Sequence, residues 1–380
     1  MSPSSKKIED RTLAIGLVLL LALTVIAYAP FVGTGFAATD SLPLVETSRF
    51  SSIAEAAQHF LQPVMAGTRF TAGELVYRPL VSVTFGIDYL VWGLNAAGYH
   101  VTNLLLHICG VVGVVVLLVQ LGLRAWSALV GATLFALHPL VVASVPVIAR
   151  RDSILPVVTI VAGAALLISS DHASGSRRLG LLLGSLVLTA AALLSKESAF
   201  AAVFLVAMLF VASRLARGDR PRVVLRRSWV LIPLFVLTAV VFVVRLMLLR
   251  GLGGGSELAT LLFVDMDQYS QTLGAFTRDL AWVIASLASS TREVWPRGAA
   301  LVVVCLLVAS LALPRRYGWL LLSGVLWVVA FGFFAALLKI STIAWLAYFA
   351  LVGLSLVVAA GLEGAACQIK KARGRVRAIN

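Results

Sequence analysis

The chain of 380 residues is 60% hydrophobic and only 13% charged, and its mean hydropathy is +1.00. A water-soluble globular domain could not solvate that much apolar surface, so the composition predicts an integral membrane protein. The formal net charge is +14. Because the basic residues lie in short loops between apolar runs, we expect them to set topology and contact anionic lipid rather than bind nucleic acid.

Ten apolar runs follow one another along the chain, and most are close to the roughly 20 residues that a helix needs to cross the bilayer core. Backbone polar groups must be satisfied internally in lipid, so the runs predict helices and an all-α polytopic bundle. An eleventh segment, 271–290, carries Arg278 and Asp279, which are costly at membrane depth. The ten runs are 13–32, 103–123, 125–147, 154–169, 179–194, 199–213, 229–249, 299–313, 319–338 and 343–362.

The distribution of charge predicts the orientation. A cytoplasmic N-terminus places the arginine-rich loop 213–228 inside, together with Arg124, Arg177 and Arg178. The same count favours ten spans over eleven, with 271–290 on the outer surface. The outer loops carry the densest charge against apolar flanks, so we expect the active face to be outside. The expected location is the bacterial plasma (inner) membrane. The predicted organisation is a membrane domain over 1–365, with outer loops at 33–100 and 250–297, and a basic tail at 366–380.

The first outer loop begins with an acidic candidate. Asp40 follows the first run by a few residues, where a carboxylate near the bilayer surface could act as a general base or bind a divalent ion. The alternatives are a solvated loop residue or a cap for the short helix predicted at 51–61. Further along the loop, aromatic residues recur near helical spacing, which is typical of an interfacial helix. Arg78 and Asp88 need partners or a ligand there.

Two later corners concentrate charge against apolar flanks. The first contains Arg150, Arg151 and Asp152; the second contains Lys196 and Glu197 at the apex of a hairpin with short arms. Two interpretations of Lys196 stay open. It could pair with Glu197, or it could bind a lipid phosphate, for which Lys and Arg supply charge-assisted hydrogen bonds. Arg245 and Arg250 could join this basic group.

Several motifs resemble the membrane glycosyltransferases of the GT-C type that are related to the transmembrane and tetratricopeptide-repeat O-mannosyltransferases. They occur in the order expected for that family and cover roughly 36–200. They are YRPL at 77–80, DY at 88–89, WGLN at 92–95, GYH at 98–100, TNLLLH at 102–107, HPL at 138–140, ARRD at 149–152 and LSKES at 194–198.

The resemblance implies transfer of a sugar, with mannose as a candidate, from a polyprenyl-phosphate donor to an acceptor hydroxyl on a protein, glycan or lipid. Asp40 would be the catalytic base of an inverting reaction. Residues that would bind the donor phosphate are Arg150, Arg151, Lys196 and Arg250. Residues that would form the wall of the site and receive the acceptor are Tyr77, Arg78, Asp88, Tyr99, His100, Asp152 and Glu197.

Three departures from the family pattern leave other functions open. Thr39 stands where the family has a second acidic residue. A divalent metal is the candidate cofactor, but the missing carboxylate weakens that expectation. Ala344 and Trp345 stand where the family has Glu and Arg, and no 34-residue repeats occur, so the repeat arm is expected to be absent. A noncatalytic relative that binds polyprenyl phosphate or assembles with a partner is one alternative. An anionic-lipid transporter is another, although no inverted repeat is evident.

The three cysteines are scattered, with no spacing that suggests a metal site or a disulfide. We expect Cys109, Cys305 and Cys367 to be packing residues.

Overall fold

The computed structural model describes residues 3–68, 76–249, 305–337 and 344–379. Across these ranges the chain is helical and contains no strand, which confirms the predicted all-α class. The helices are α1 (Pro3–Tyr28), α2 (Ser41–Thr47), α3 (Ile53–Gln58), α4 (Pro79–Trp92), α5 (Ala96–Gln120), α6 (Ala125–Leu137), α7 (Arg151–Ser170), α8 (Gly175–Leu193), α9 (Ser198–Ala216), α10 (Pro221–Arg227), α11 (Ile232–Leu249), α12 (Arg315–Leu337) and α13 (Ala344–Ile379).

Eight helical segments of the described ranges are long and apolar enough to cross a membrane, so the protein is an integral membrane protein. The choice between ten and eleven spans stays a prediction. The loop 250–297, which contains Arg250 and the segment 271–290, lies outside the described residues, as do residues 299–304 of the run 299–313. The eight are Lys7–Gly33, Ala96–Gln120, Ala125–Ala143, Ile148–Ser170, Gly175–Leu193, Ser198–Ala216, Pro221–Leu249 and Ala347–Gly374.

The core of the bundle forms where α5, α6, α7, α9, α12 and α13 pack together. A polar group lies inside it because its hydrogen-bonding atoms are satisfied: the His107 ring bonds the Tyr348 hydroxyl at 2.7 Å and the Ala136 carbonyl at 3.1 Å. Burying the His107 ring without these partners would cost about 2–7 kcal/mol. The bonds therefore join α5, α6 and α13 at one depth of the bundle.

The first loop folds back onto one end of the bundle through a second, smaller core. Leu44 and Val45 of α2 pack with Phe85 of α4, Tyr99 of α5 and Ile148. Helix α4 has 14 residues, or about 21 Å of rise, which is too short to span the bilayer core. The loop is consequently a folded cap on this end, which we call the site end, and the prediction of short helices in the first loop is confirmed.

A glycine sets how closely the cap packs. A Cβ built on Gly86 of α4 would lie 2.1 Å from a ring carbon of Phe50 and 2.5 Å from the carbonyl oxygen of Ser48. No side chain fits at that distance without movement of the backbone. Helix α4 can therefore approach the preceding loop segment only because residue 86 has no side chain.

The positions of the cysteines differ from what the sequence predicts, and the conformation of the C-terminal tail adds to it. Cys109, Cys305 and Cys367 are exposed, so the prediction that they are packing residues is wrong. They sit on the outward faces of helices, where apolar residues are suited to contact lipid. The last helix, α13, continues to Ile379, so the described part of the predicted basic tail is helical.

Candidate functional site

Five charged side chains from four parts of the chain meet at the site end. Helix α4 contributes Arg78 at its N-cap, α7 contributes Asp152 in its first turn, the turn between α8 and α9 contributes Lys196 and Glu197, and α11 contributes Arg245. We call these five residues the ion cluster. It contains three cations and two carboxylates, so it has a surplus of one positive charge. A surplus of positive charge attracts anions to this end of the bundle.

Asp152 is the buried centre of the ion cluster. Its Oδ2 atom accepts from the Arg78 guanidinium at 2.5 Å and from Lys196 Nζ at 3.1 Å. The hydroxyl of Ser153 donates to Oδ1 at 3.1 Å and accepts from Lys196 at 2.7 Å. Because every polar atom of this group has a partner, the carboxylate and the ammonium can remain charged although both are buried.

Glu197 links the cap to α11. It accepts from Arg78 at 2.8 Å and from Arg245 at 3.0 Å, and Arg245 also donates to the backbone carbonyl of Tyr77 at 3.2 Å. The sequence left open an ion pair between Lys196 and Glu197, and that interpretation is wrong. Neighbouring residues at the tight turn point to different partners, and Lys196 bonds Asp152 instead.

Burial and neighbouring charges change the acidity of both residues at this turn. Burial lowers the pKa of Lys196 to about 8; Asp152 opposes this shift, and the Arg78 charge adds to it. Burial alone would raise the pKa of Glu197, but the charges of Arg78 and Arg245 outweigh it and hold that pKa below its ordinary value. At neutral pH the turn therefore presents an ammonium group, and this group loses its proton when the pH rises about one unit above neutrality.

Arg151 lies beside the ion cluster but points into the protein. Its side chain is fully buried, pairs with Asp88, and stacks 4.2 Å from the ring centroid of Phe85. It also donates to the Asn103 side chain at 2.9 Å and to the Thr84 carbonyl at 3.2 Å. With its donors directed at protein acceptors, this guanidinium joins α4, α5 and α7 into one rigid unit. The phosphate-binding role expected from the sequence stays a prediction that this geometry does not favour.

Asp40 and Arg150 form a partly exposed ion pair at the site end. Their closest atoms are 3.8 Å apart, and the side chains are 29% and 27% exposed. Asp40 is the residue before α2, yet its side chain makes no capping hydrogen bond, while the helix at 53–58 is capped by Ser52. The capping alternative for Asp40 is therefore wrong. A partly exposed carboxylate next to an arginine can reach a substrate from solvent.

The remaining residues expected in the wall are mainly buried in the cap. The Tyr77 hydroxyl donates to the Phe60 carbonyl at 3.0 Å, and the Tyr99 hydroxyl donates to the Gly93 carbonyl at 2.7 Å. His100 contacts Thr34 at 3.2 Å through Nε2, while its buried Nδ1 has no hydrogen-bond partner within the described ranges. These residues therefore support the fold of the cap around the site and are not exposed to a substrate.

Three further residues hold the site together. Two of them, Asn103 and Ser153, were not predicted as site residues, and Arg245 was suggested only as an addition to the basic group. Asn103 fixes Arg151 and donates to the Val147 carbonyl at 3.2 Å, Ser153 bridges the Asp152–Lys196 pair, and Arg245 holds Glu197. The signal for Asn103 was present, because an amide at the start of an apolar run needs partners. Ser153 gave no signal, since a serine beside charged residues is common in loops.

Metal chemistry has limited support in the described part of the chain. No group of three or more His, Cys, Asp or Glu side chains lies close enough together there to hold a metal ion. Asp40 could supply one oxygen ligand, and Thr39 beside it has only a hydroxyl. The polar chemistry that this end offers is the partly exposed Asp40 carboxylate next to a group rich in arginine and lysine.

Comparison with known proteins gives two partial matches. No protein-family model and no solved structure matches the chain. It is 31% identical over 148 residues to Protein O-mannosyl-transferase Tmtc1 and 34% identical over 139 residues to Protein O-mannosyl-transferase Tmtc2, both from Drosophila melanogaster. The alignments cover 39% and 36% of this chain but only 17% and 15% of the relatives. The resemblance inferred from the motifs is thereby confirmed over part of the chain.

Proposed function

We propose that this protein is a membrane glycosyltransferase that transfers a sugar, with mannose as the first candidate, from a polyprenyl-phosphate donor to an acceptor hydroxyl. The observation that carries the proposal is the pairing of the accessible Asp40 with Arg150 beside the ion cluster and its surplus positive charge. The two partial matches are both named protein O-mannosyl-transferases, which supports sugar transfer as the reaction class. The acceptor is proposed to be a protein hydroxyl.

The proposed reaction inverts the anomeric carbon in one displacement. The Asp40 carboxylate takes the proton from the acceptor hydroxyl as its oxygen bonds to the anomeric carbon. The bond between that carbon and the phosphate oxygen breaks, and the electron pair leaves with the lipid phosphate. Arg150 is 3.8 Å from Asp40. The base and the cation that stabilises the phosphate leaving group would therefore lie close enough to act on the same sugar. No oxidant or other co-reactant is needed.

Charge at the site end supports a phosphate leaving group. Arg150 and Arg78 are partly exposed and can approach the phosphate, whereas Lys196 lies behind them and adds its charge at short range. Fixed cations aimed at a developing negative charge stabilise the transition state without reorganisation. Arg151 is proposed to hold the cap rather than to bind the donor. Arg250 was also expected to bind the phosphate, and it lies outside the described residues.

The orientation is proposed from charge. The end of the bundle opposite the site is rich in arginine, including Arg222, Arg226 and Arg227, and such loops face the cytoplasm. The site end would then face away from the cytoplasm. A bacterial plasma membrane stays a prediction, and the two relatives come from an insect.

The proposal is tested with purified protein in lipid nanodiscs, a radiolabelled polyprenyl-phosphate mannose, and peptides containing serine and threonine. We expect labelled peptide to form in proportion to enzyme and time. Nucleotide-linked mannose serves as the control donor and should give no product, because it lacks the lipid that partitions into the membrane.

Two outcomes would contradict this proposal. Saturable binding of the donor lipid with no transfer to peptides, glycans or lipid acceptors would favour the noncatalytic relative. Movement of the lipid between leaflets of acceptor-free proteoliposomes, again with no transfer, would favour the transporter.

A further inference from the structure

A second polar region lies at the opposite end of α7 from the site. Helix α7 has 20 residues, so its two ends are about 30 Å apart. A cavity of about 700 Å³ lies at the far end, between the start of α8 and the short helix α10. The lining residues that matter here are Asp171, Arg178, Arg222, Arg226, Arg227 and Trp229.

The cavity contains positive charge that the nearby carboxylate does not neutralise. Asp171 is already paired with Arg214 at 2.5 Å and with Arg217 at 3.2 Å. None of the four arginines that line the cavity lies within 4 Å of a carboxylate in the part of the chain that the structure describes. Arg222 and Arg226 are four residues apart on α10 and so share one face of that helix. Four arginines around one space favour an anionic ligand with several acceptor oxygens, such as a phosphate.

Apolar groups next to these arginines favour the phosphate of a lipid over a ligand that is soluble in water. Leu225 of α10 is 79% exposed and Trp229 is 58% exposed. A short helix with arginines beside exposed apolar side chains is typical of a segment that lies in the membrane interface. A tryptophan at such a position is suited to the headgroup level, with its ring against acyl chains. A ligand that is soluble in water would gain nothing from these contacts.

We propose that this cavity is a binding site for the phosphate headgroup of an anionic phospholipid, separate from the proposed donor site. Arg222, Arg226 and Arg178 contact the phosphate oxygens, and the acyl chains lie along Leu225 and Trp229. Occupancy ties α10 to the start of α8 and so fixes the bundle at this end. The inference does not depend on the proposed transferase activity.

The test measures lipid binding to the whole protein by native mass spectrometry. Phosphatidylglycerol and phosphatidylcholine are titrated separately against wild type, the double variant Arg222→Gln/Arg226→Gln, and the charge-matched control Arg177→Gln/Lys370→Gln. The control residues are exposed and do not line the cavity. Loss of the two arginines that contact the phosphate removes charge-assisted hydrogen bonds and should weaken phosphatidylglycerol binding about a hundredfold, while the control, whose residues make no such bonds, changes it less than threefold. Equal binding of both lipids by wild type, or an equal loss in the control, would overturn the proposal.

Two further arms identify the source of the phosphate and keep the test independent of variant folding. Glycerol 3-phosphate and inorganic phosphate are added as competitors to wild type. Displacement at concentrations similar to those of the lipid would mean a soluble ligand and would refute a lipid site. Brominated phosphatidylglycerol should quench part of the tryptophan fluorescence, and that part should be missing in Trp229→Phe. Quenching that is unchanged in Trp229→Phe would also contradict the site.

Discussion

Replacing Arg151 by Met should destabilise the protein strongly and leave the lipid-phosphate affinity of the folded fraction unchanged. The substitution removes the partner of Asp88, which is itself buried. Breaking a buried ion pair by removing one partner costs about 3–5 kcal/mol, because an uncompensated charge stays inside. The lost bonds to Asn103 and the Thr84 carbonyl act in the same direction. The free energy of unfolding of purified protein, titrated with denaturant in detergent micelles, measures this cost.

Two companion variants separate the buried charge from the packing. Arg151→Met/Asp88→Asn removes both charges, so it should recover about 2 kcal/mol relative to the single variant. The exposed pair of Arg49 and Glu46, 3.6 Å apart, provides the control: Arg49→Met should cost less than about 1 kcal/mol. If Arg151→Met unfolded like wild type but bound polyprenyl phosphate at least tenfold more weakly, the scaffold role would be refuted and Arg151 would be a phosphate ligand.

Three other perturbations test separate parts of the structure. The rate of sugar transfer should fall as the pH rises through about 8, because Lys196 loses the proton that gives it charge; in Lys196→Arg this fall should disappear, because a guanidinium keeps its proton up to about pH 12, and a pH–rate profile unchanged by the substitution would contradict this. Gly86→Ala should cost about 1–3 kcal/mol of unfolding free energy, since the new methyl group overlaps Phe50; a denaturant titration that matches wild type would show that the cap moves freely. Glu363→Gln should cost about 1–2 kcal/mol without changing donor affinity, because at the far end of the bundle this carboxylate accepts from Ser127 at 2.6 Å; weaker donor binding in this variant would contradict its structural role.

Hydropathy alone predicted the class of the fold, because a helix in lipid must be apolar along its length and satisfy its own backbone. The predicted run 154–169 lies within the observed span Ile148–Ser170, and the predicted run 199–213 lies within Ser198–Ala216. The short helices of the first loop were also predictable from amphipathic spacing. What hydropathy could not provide is how the loop packs, since that depends on close contacts such as the one at Gly86.

Charge density predicted which parts of the chain would meet at the site end, but not which residue pairs with which. Arg150 and Arg151 are adjacent and chemically identical, and the same role was predicted for both. A helical turn rotates successive side chains by about 100°. As a result one guanidinium is buried against Asp88 and the other faces Asp40. The partner of Lys196 was misjudged for a related reason: Asp152 is 44 residues away in sequence, and only the packing of α7 against the turn brings them together.

The central claim is that Asp40 removes the acceptor proton, and its most direct test is the turnover of Asp40→Asn with saturating donor. Glu46→Gln is the matched control, because Glu46 is an exposed carboxylate in the helix that follows Asp40. Loss of a general base lowers the rate by about 10²–10⁴-fold, so we expect at least a hundredfold loss in Asp40→Asn, with donor affinity within threefold of wild type and normal turnover in Glu46→Gln. Turnover in Asp40→Asn equal to that of wild type would contradict the claim.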